Sequence, residues 1–504
     1  MKRLFSLFLV GIFVLSLSAC SGNPQEPSTG TPNASGGTNS AEADDAANST
    51  GSTTAAQQSS HAAISPLKKV KDPGKIAFDD YNRQADLRAA NPIDDPFLQA
   101  VNAFAGALSV QTLRGQSGNL NLSPVSLYLA LSLATSGAKG ATQEELLAAL
   151  GLSGKSTDYL ATQSSHLFQR LYRENEVGRL RVANSIWLRQ DGNFREAFVD
   201  QAAEKFYASA YRVDFSDPKT AQAMSKWISE QTNGVLEPEI FFQGNQLLTL
   251  LNTIYFKDEW MDRFERQQTK PDVFYASARQ TVQCDYMNRT YAMHPYTRGE
   301  GFTRSALSLK NGGRMVFILP DQGTSIDVLL ASPQKAASLF LGEDQGAGKV
   351  VFQIPKFSFG SKLNLKETLH AMGVRRAFAS DQADFSGMTQ DQAFLSQVLQ
   401  ETHIAIDEKG VEAATFTKID YAGMAAPNEN EAHMILNRPF LYGVVSDGVL
   451  LFAGVRANRA LWQTNQLCVD WESCTAGFVF SCVFKKYLQG CFRSKTVDES
   501  VKNR

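Results

Sequence analysis

The sequence predicts an α+β fold in one large domain, on three observations. Helical apolar spacing and short strand-like runs are interleaved without regular β–α–β alternation, which argues against a doubly wound sheet. No fixed-period repeat runs through the chain. With 43% apolar residues and 32 Phe the chain can fill a sizeable core, and its periodic segments lie between about residues 92 and 459.

The elements follow in order. Asp94 and Asp95 before Pro96 mark a helix start, and Phe97, Val101, Phe104 and Leu108 recur at the spacing of an amphipathic helix. Asn121-Leu122-Ser123-Pro124 leads into residues 125–135, an apolar run of helical length stopped by Gly137 and Gly140. Thr142, Gln143, Glu144 and Glu145 ahead of Leu146 and Leu147 read as a capped helix start with early acidic residues. Strand-like runs follow at residues 183–188, 247–256, 314–319, 349–354, 434–436 and 442–445, and residues 449–455 close the domain as a last buried strand.

The front end differs. Lys2 and Arg3 form a charged start, and residues 4–17 form an apolar run of the length a secretory signal needs. That run is brief for a membrane span of about 20 residues. Leu17-Ser18-Ala19-Cys20 resembles a bacterial lipobox, in which cleavage leaves the cysteine diacylated. Residues 1–19 are therefore expected to be a lipoprotein signal peptide and Cys20 the lipidation site; plain secretion is the alternative. Two or more acyl chains hold a protein firmly at a membrane. Residues 20–91 are read as the lipidated Cys and a disordered tether rich in Ser, Thr, Gly and Asn; a flexible coil of about 60 residues has an r.m.s. span of roughly 40 Å. The expected location is the cell surface or outer membrane.

Charge and motifs exclude several classes. Forty-nine basic against fifty-one acidic residues leave a net charge of −2, which gives no field for holding nucleic acid. The six His, at 61, 166, 294, 370, 403 and 433, include no H-E-x-x-H pair, and no Ser sits in G-x-S-x-G. Residues 151–156, GLSGKS, end like a phosphate loop but place the first Gly two residues too close, and read as a helix-ending loop. No catalytic residue, metal site or cofactor is expected.

Several segments together resemble the serpin family, inhibitors of serine proteases by conformational trapping. They are Asn121-Leu-Ser-Pro-Val-Ser126 with Gly137-Ala-Lys-Gly140, Ala183-Asn-Ser-Ile-Trp187, and Trp227-Ile-Ser-Glu-Gln-Thr-Asn-Gly234. Leu251-Asn-Thr-Ile-Tyr-Phe-Lys257 with Trp260, Phe317-Ile-Leu-Pro320 and Ile354-Pro-Lys-Phe357 come next. Ala383-Asp-Phe-Ser386, Asp407-Glu-Lys-Gly-Val-Glu-Ala-Ala414 and Asn437-Arg-Pro-Phe440 complete the set, in family order. The resemblance implies the serpin fold, large mixed β-sheets with surrounding helices and an exposed reactive-centre loop, over residues 92–459.

In that family a hinge and loop bait the protease and then insert as a new central strand of the main sheet. The hinge here is Glu408, Lys409, Gly410, Val411, Glu412, Ala413, Ala414, Thr415, Phe416 and Thr417. A strand has period two, so Val411, Ala413, Thr415 and Thr417 would share the core-facing side, and all four are small or β-branched. Glu412, Ala414, Phe416 and Lys418 would face outward. No Pro lies between Glu408 and Ala426, as a central strand requires. Counting as the family does places the reactive bond at Met424-Ala425, with a cut after Tyr421 or Ala425 as the alternatives. Met424 suits a shallow apolar specificity pocket, hence elastase-, chymotrypsin- or subtilisin-like targets rather than trypsin-like ones.

Three departures accompany the resemblance. Val411 stands where Thr or Ser is usual, Phe416 is bulkier than the usual small residue, and Gln400 stands where the family commonly has a buried His. With Ser123, Ser126 and Asn252, Gln400 is expected to form a hydrogen-bonded cluster where the sheet opens. Trp260, Lys356 and Glu408 match residues near the point where the loop inserts. A Lys356–Glu408 pair there, if exposed, is worth only about 0.2–1 kcal/mol. The implied function is irreversible suicide-substrate inhibition of serine endopeptidases in a covalent 1:1 complex, by a monomer and without enzymatic activity. The alternative is a non-inhibitory serpin acting as a binding or surface lipoprotein. Residues 460–504, with Cys468, Cys474, Cys482 and Cys491, lie outside the resemblance: either a small appended module or non-native sequence from a read-through or frame error. Cys284 is left as a single thiol of the body.

Overall fold

The structure, a computed structural model, describes residues 7–19, 64–242, 244–408 and 431–457. In chain order the strands begin with β1 (Leu7–Ala19), β2 (Leu120–Leu122), β3 (Arg173–Glu174), β4 (Arg179–Arg189), β5 (Ala208–Val213) and β6 (Gln246–Asp258). They continue with β7 (Lys270–Ser277), β8 (Gln280–Gly299), β9 (Phe302–Ser308), β10 (Arg314–Pro320) and β11 (Gly346–Pro355). The last are β12 (Phe357–Asn364), β13 (Ala393–Ile406), β14 (Glu431–Ile435), β15 (Phe440–Ser446) and β16 (Val449–Arg456). The helices are α1 (Tyr81–Ala90), α2 (Asp95–Leu113), α3 (Pro124–Ser136), α4 (Gly140–Ala149) and α5 (Thr157–Leu171). After them come α6 (Glu196–Phe206), α7 (Pro218–Gln231), α8 (Ile326–Leu329), α9 (Pro333–Leu341) and α10 (Lys366–Ala371). Among the described residues no helix is long and apolar enough to cross a membrane.

Two sheets organise these elements. The main sheet runs β12-β13-β1-β6-β4-β3, with β5 alongside β4; the second runs β14-β11-β8-β9-β10-β15-β16-β2, with β7 on β8. Helices are not alternated with strands, so the class is α+β, as the interleaved periodicities predict. The core lies between the sheets and around α3, all of whose residues are buried. A helix apolar on every side belongs in an interior. A smaller cluster covers the outer face of the main sheet, where Met224, Trp227 and Ile228 of α7 meet Trp187, Leu251 and Tyr255.

The helix signals work locally. Asp94 caps α2 by accepting from Phe97 N at 2.9 Å, and Phe97, Val101, Phe104 and Leu108 are buried. The loop at 151–156 ends α4 and starts α5, whose N-cap Ser156 accepts from Tyr159 N at 3.1 Å. One start signal is misplaced. Helix α4 begins at Gly140, a residue with φ of +50°, and Thr142 does not cap it. Thr142 Oγ1 instead accepts from Asp384 N, and Glu145 accepts from the backbone of Arg375, Arg376 and Ala377. Side chains that fit a cap serve here to tie α4 to a distant segment.

The ordered body begins earlier than the expected boundary near residue 92. Leu67 N donates to Ala210 O at 2.7 Å and Ala210 N returns a bond to Lys68 O at 2.8 Å, so the segment lies along the open edge of β5. Val70 N reaches Ser209 Oγ, Ile64 packs on the outer apolar cluster, and Lys75 pairs with buried Glu174 at 3.1 Å. Residues 64–91 are thus part of the body rather than of a tether ending at 91. Backbone pairing at a sheet edge uses no apolar pattern, which is why composition does not reveal it.

Candidate functional site

The centre of the main sheet is the site. Strand β1 pairs antiparallel with both β13 and β6, so β6 and β13 run parallel to each other with β1 filling the place between them. Phe13 stands opposite Gln400 on one side and Asn252 on the other.

Beneath this point lies the start of α3. Gln400 is fully buried on the inner face of β13; its Oε1 accepts from Ser123 N at 2.9 Å and its Nε2 donates to Ser123 O at 2.9 Å. The amide thereby acts as one more rung of a sheet, tying β13 to the helix start. Ser123 Oγ donates to Leu451 O at 2.7 Å. On the other flank Ser126 Oγ donates to Asn252 Oδ1, and Asn252 Nδ2 donates to Asn184 Oδ1 at 2.6 Å. Asn184 Nδ2 continues to Phe206 O at 2.6 Å. Ser126 N donates to Ser123 Oγ at 3.4 Å, so the four residues expected to cluster form one buried hydrogen-bonded chain, Gln400–Ser123–Ser126–Asn252, across the Phe13 position. Asn184 is the member that sequence reasoning missed, although it stands in the quoted segment beside Trp187.

The upper end of the same strands holds the second group. Trp260 is almost wholly buried, its Nε1 donates to Asp407 O at 2.9 Å, and its ring meets Phe264 edge-on. Phe264 N donates to Glu408 O at 3.2 Å. The Glu408 carboxylate receives Lys356 Nζ at 3.0 Å and Thr269 Oγ1 at 2.9 Å. Glu408 is only 4% exposed, so the surface-pair figure does not apply; loss of a partner would strand a buried charge. Burial pushes the Glu408 carboxyl up, but bonds from its own backbone N–H, Lys356 and Thr269 outweigh this and hold it below the ordinary range. The chain leaving β13 toward the loop is therefore anchored at Asp407 and at Glu408, the first residue of the hinge. Thr269 was not singled out from sequence, being an ordinary surface-type residue until the fold brings it to Glu408.

Asp258, at the end of β6 two residues before Trp260, was also missed. Its carboxylate accepts from Glu259 N at 2.8 Å and from Asn311 Nδ2 at 2.9 Å and N at 3.2 Å. Burial nevertheless pushes it up to about 6. A carboxyl raised on folding stabilises fully below its unfolded value and loses that contribution as pH rises through about 6. Acidification from pH 7 to 5 should thus add about 1 kcal/mol through this group. In Asp258→Asn, melting curves across that range should show a smaller gain than the parent, whatever constant offset the amide introduces. Equal gains in both would remove Asp258 from the account.

Lys409, Gly410, Val411, Glu412, Ala413, Ala414, Thr415, Phe416, Thr417, Met424 and Ala425 lie outside the described residues, as do Cys20 and the four tail cysteines. Among the described residues no group of three or more His, Cys, Asp or Glu could hold a metal ion. Cys284 is free and buried.

Residues 99–458 match the family model described as Serpin (serine protease inhibitor). The chain is 30% identical over 371 residues to a serine protease inhibitor of Mus musculus, a match covering 72% of this chain and 88% of that protein. Among solved structures it resembles the thermophilic serpin tengpin in its native state, with a TM-score of 0.65 at 24% identity, covering 79% of this chain and all of that one. Human thyroxine-binding globulin, solved in complex with thyroxine, is similar too, with a TM-score of 0.61 at 24% identity over 72% of this chain and 98% of that one. At these identities the two structures speak for the fold alone.

Proposed function

The chain belongs to the serpin family, and from that premise we propose that it is an irreversible suicide-substrate inhibitor of serine endopeptidases. The observation that supports this reading is the centre of the main sheet. It accommodates a strand of 13 residues, antiparallel on both edges, directly beside the strand that feeds the hinge. An inserting loop needs that geometry: it must leave β13, turn at Glu408, and run back between β13 and β6.

In this mechanism the protease attacks the carbonyl of Met424 and forms its ordinary acyl-enzyme with release of the amine of Ala425. The freed loop then inserts, with Val411, Ala413, Thr415 and Thr417 facing the core. The tethered protease is carried across the body and its catalytic geometry is distorted, so deacylation stalls. A displacement near 1 Å already costs about 100-fold in rate. Asn252, Gln400 and the two serines set how readily β6 and β13 part, while Trp260, Lys356 and Thr269 hold the root of the loop. The targets on this reading are elastase-, chymotrypsin- or subtilisin-like enzymes, and the inhibitor acts as a monomer. It is exported and held at the cell surface through diacylated Cys20.

The test mixes the chain from Cys20 onward with an elastase-like and a subtilisin-like protease. The expected result is a denaturant-stable band near the summed masses and a released fragment beginning at Ala425. Cleavage without that band, at several ratios and temperatures, leaves a substrate-type serpin and ends the inhibitor reading for those enzymes. Metabolic labelling with a fatty acid, lost in Cys20→Ser, checks the anchor.

A further inference from the structure

We propose that the uncleaved chain is self-locked: strand β1, the apolar leader, occupies the place in the main sheet that the cleaved reactive loop needs, so removal of the leader is the step that makes the inhibitor competent. The inference rests on the inhibitory reading above and adds a regulation to the same site.

Three observations carry it. First, β1 uses both of its edges. Its pairing runs from Phe8↔Ala405 to Ala19↔Ala393 on one side and from Leu7↔Asp258 to Ser18↔Gln246 on the other, with irregularities confined to residues 16–18. A strand has two hydrogen-bonding edges, and the facing edges of β6 and β13 are both taken, so a second strand cannot enter between them. Second, the side chains fit on both faces. Phe13, Leu15 and Leu17 are buried in the main core, whereas Ile12 is buried in the outer cluster with Trp187, Leu251 and Tyr255. Ser16, the one polar side chain between residues 12 and 17, is also buried, and its carbonyl accepts from Ser396 Oγ at 3.0 Å. Third, the leader outcompetes the loop chemically. Residues 4–19 carry no charge, while the hinge segment carries Glu412 and presents Val411, Ala413, Thr415 and Thr417 to the core where the leader presents Phe13, Leu15 and Leu17. Larger apolar side chains bury more surface in the same strand position. The leader is also attached to the same chain, so its local concentration does not fall on dilution.

The same residues thus serve two roles in sequence: an export signal, and until its removal a plug. A precursor that folds with its leader in place would be cleaved by a protease without trapping it, and activity would appear only once the leader is removed.

The experiment compares three purified proteins: the full chain with its leader retained, the chain from Cys20 onward, and the full chain carrying Leu15→Asp. Each is melted alone and then mixed with an elastase-like protease. The lock predicts an unfolding midpoint for the full chain at least 10 °C above that of the leaderless chain, and no more than a tenth of its trapped complex. Leu15→Asp, which places a charge where the strand is fully buried, should return both readouts to the leaderless values. Since the leaderless body carries no residue 15, misfolding of the body cannot mimic that reversal. Equal midpoints for all three proteins overturn the lock, as does a full chain that traps as well as the leaderless one. If no protein traps but the midpoints split as predicted, the plug stands and the inhibitory reading fails instead.

Discussion

Replacing Ala413 with arginine is expected to turn the mature chain from a trap into a plain substrate. On the proposed mechanism, strand parity puts residue 413 on the core side of the inserting loop. An unpaired guanidinium there must be desolvated before insertion can pass it, at a cost of at least several kcal/mol. Each 1.4 kcal/mol slows a step about tenfold. Insertion therefore falls behind deacylation by roughly two to three orders of magnitude, and the protease escapes. Time courses on denaturing gels should show cleaved chain accumulating with less than a hundredth of the parent's stable complex. Glu412→Arg, one position away and facing outward, is the control and should trap like the parent. If the two variants behave the other way round, the register assigned to the hinge is off by one residue and the core-facing set is wrong.

The second large effect is expected from Gln400→Ala. The side chain makes two hydrogen bonds to one residue, Ser123 N and Ser123 O, in a site with no exposure. Truncation leaves Ser123 N buried and unpaired, at a cost of about 1–3 kcal/mol, while Ser123 O keeps its bond from Leu127 N at 3.3 Å. The loss, about 1–3 kcal/mol, falls where β13 meets α3. Denaturant unfolding of the leaderless chain should shift to lower midpoint by that amount. Gln400→His keeps a donor and an acceptor on a ring of similar reach and should recover part of it. A Gln400→Ala midpoint within about 0.5 kcal/mol of the parent would mean that Ser123 finds other partners and that the amide is not what ties β13 to the helix.

The same residue shows how far the site could be read in advance. Gln400, Ser123, Ser126 and Asn252 are grouped through family resemblance, since nothing in their spacing brings residues 123, 252 and 400 together. The structure joins them in one buried chain of hydrogen bonds, with Ser123 and Ser126 at the start of α3 bridging β13 and β6. Asn184 and Thr269 escape because an Asn or Thr in an otherwise ordinary run carries no period and no motif; each becomes part of the site only through a partner at least 68 positions away in the chain. Glu408 is legible as a hinge residue, but not its burial or the bonds its carboxylate takes from Lys356 and Thr269. The Thr142–Glu145 run shows the converse, a strong local signal redirected to tertiary bonds with residues 375–377 and 384.

By itself the sequence determined what depends on neighbours a few residues apart. The α+β class, the start of α2 at Asp94, the nearly all-apolar α3 and most of the core strands follow from periods of 3.6 and 2 and from capping chemistry. It also determined the apolar, uncharged character of residues 4–19. Only the tertiary structure decided where that stretch lies, which edge the segment after Ile64 extends, and which carboxylates are buried. Those outcomes depend on long-range strand pairing and desolvation, in which a backbone edge accepts any chain of suitable length and polarity, and a carboxyl such as Asp258 is shifted by the packing around it rather than by its neighbours in sequence.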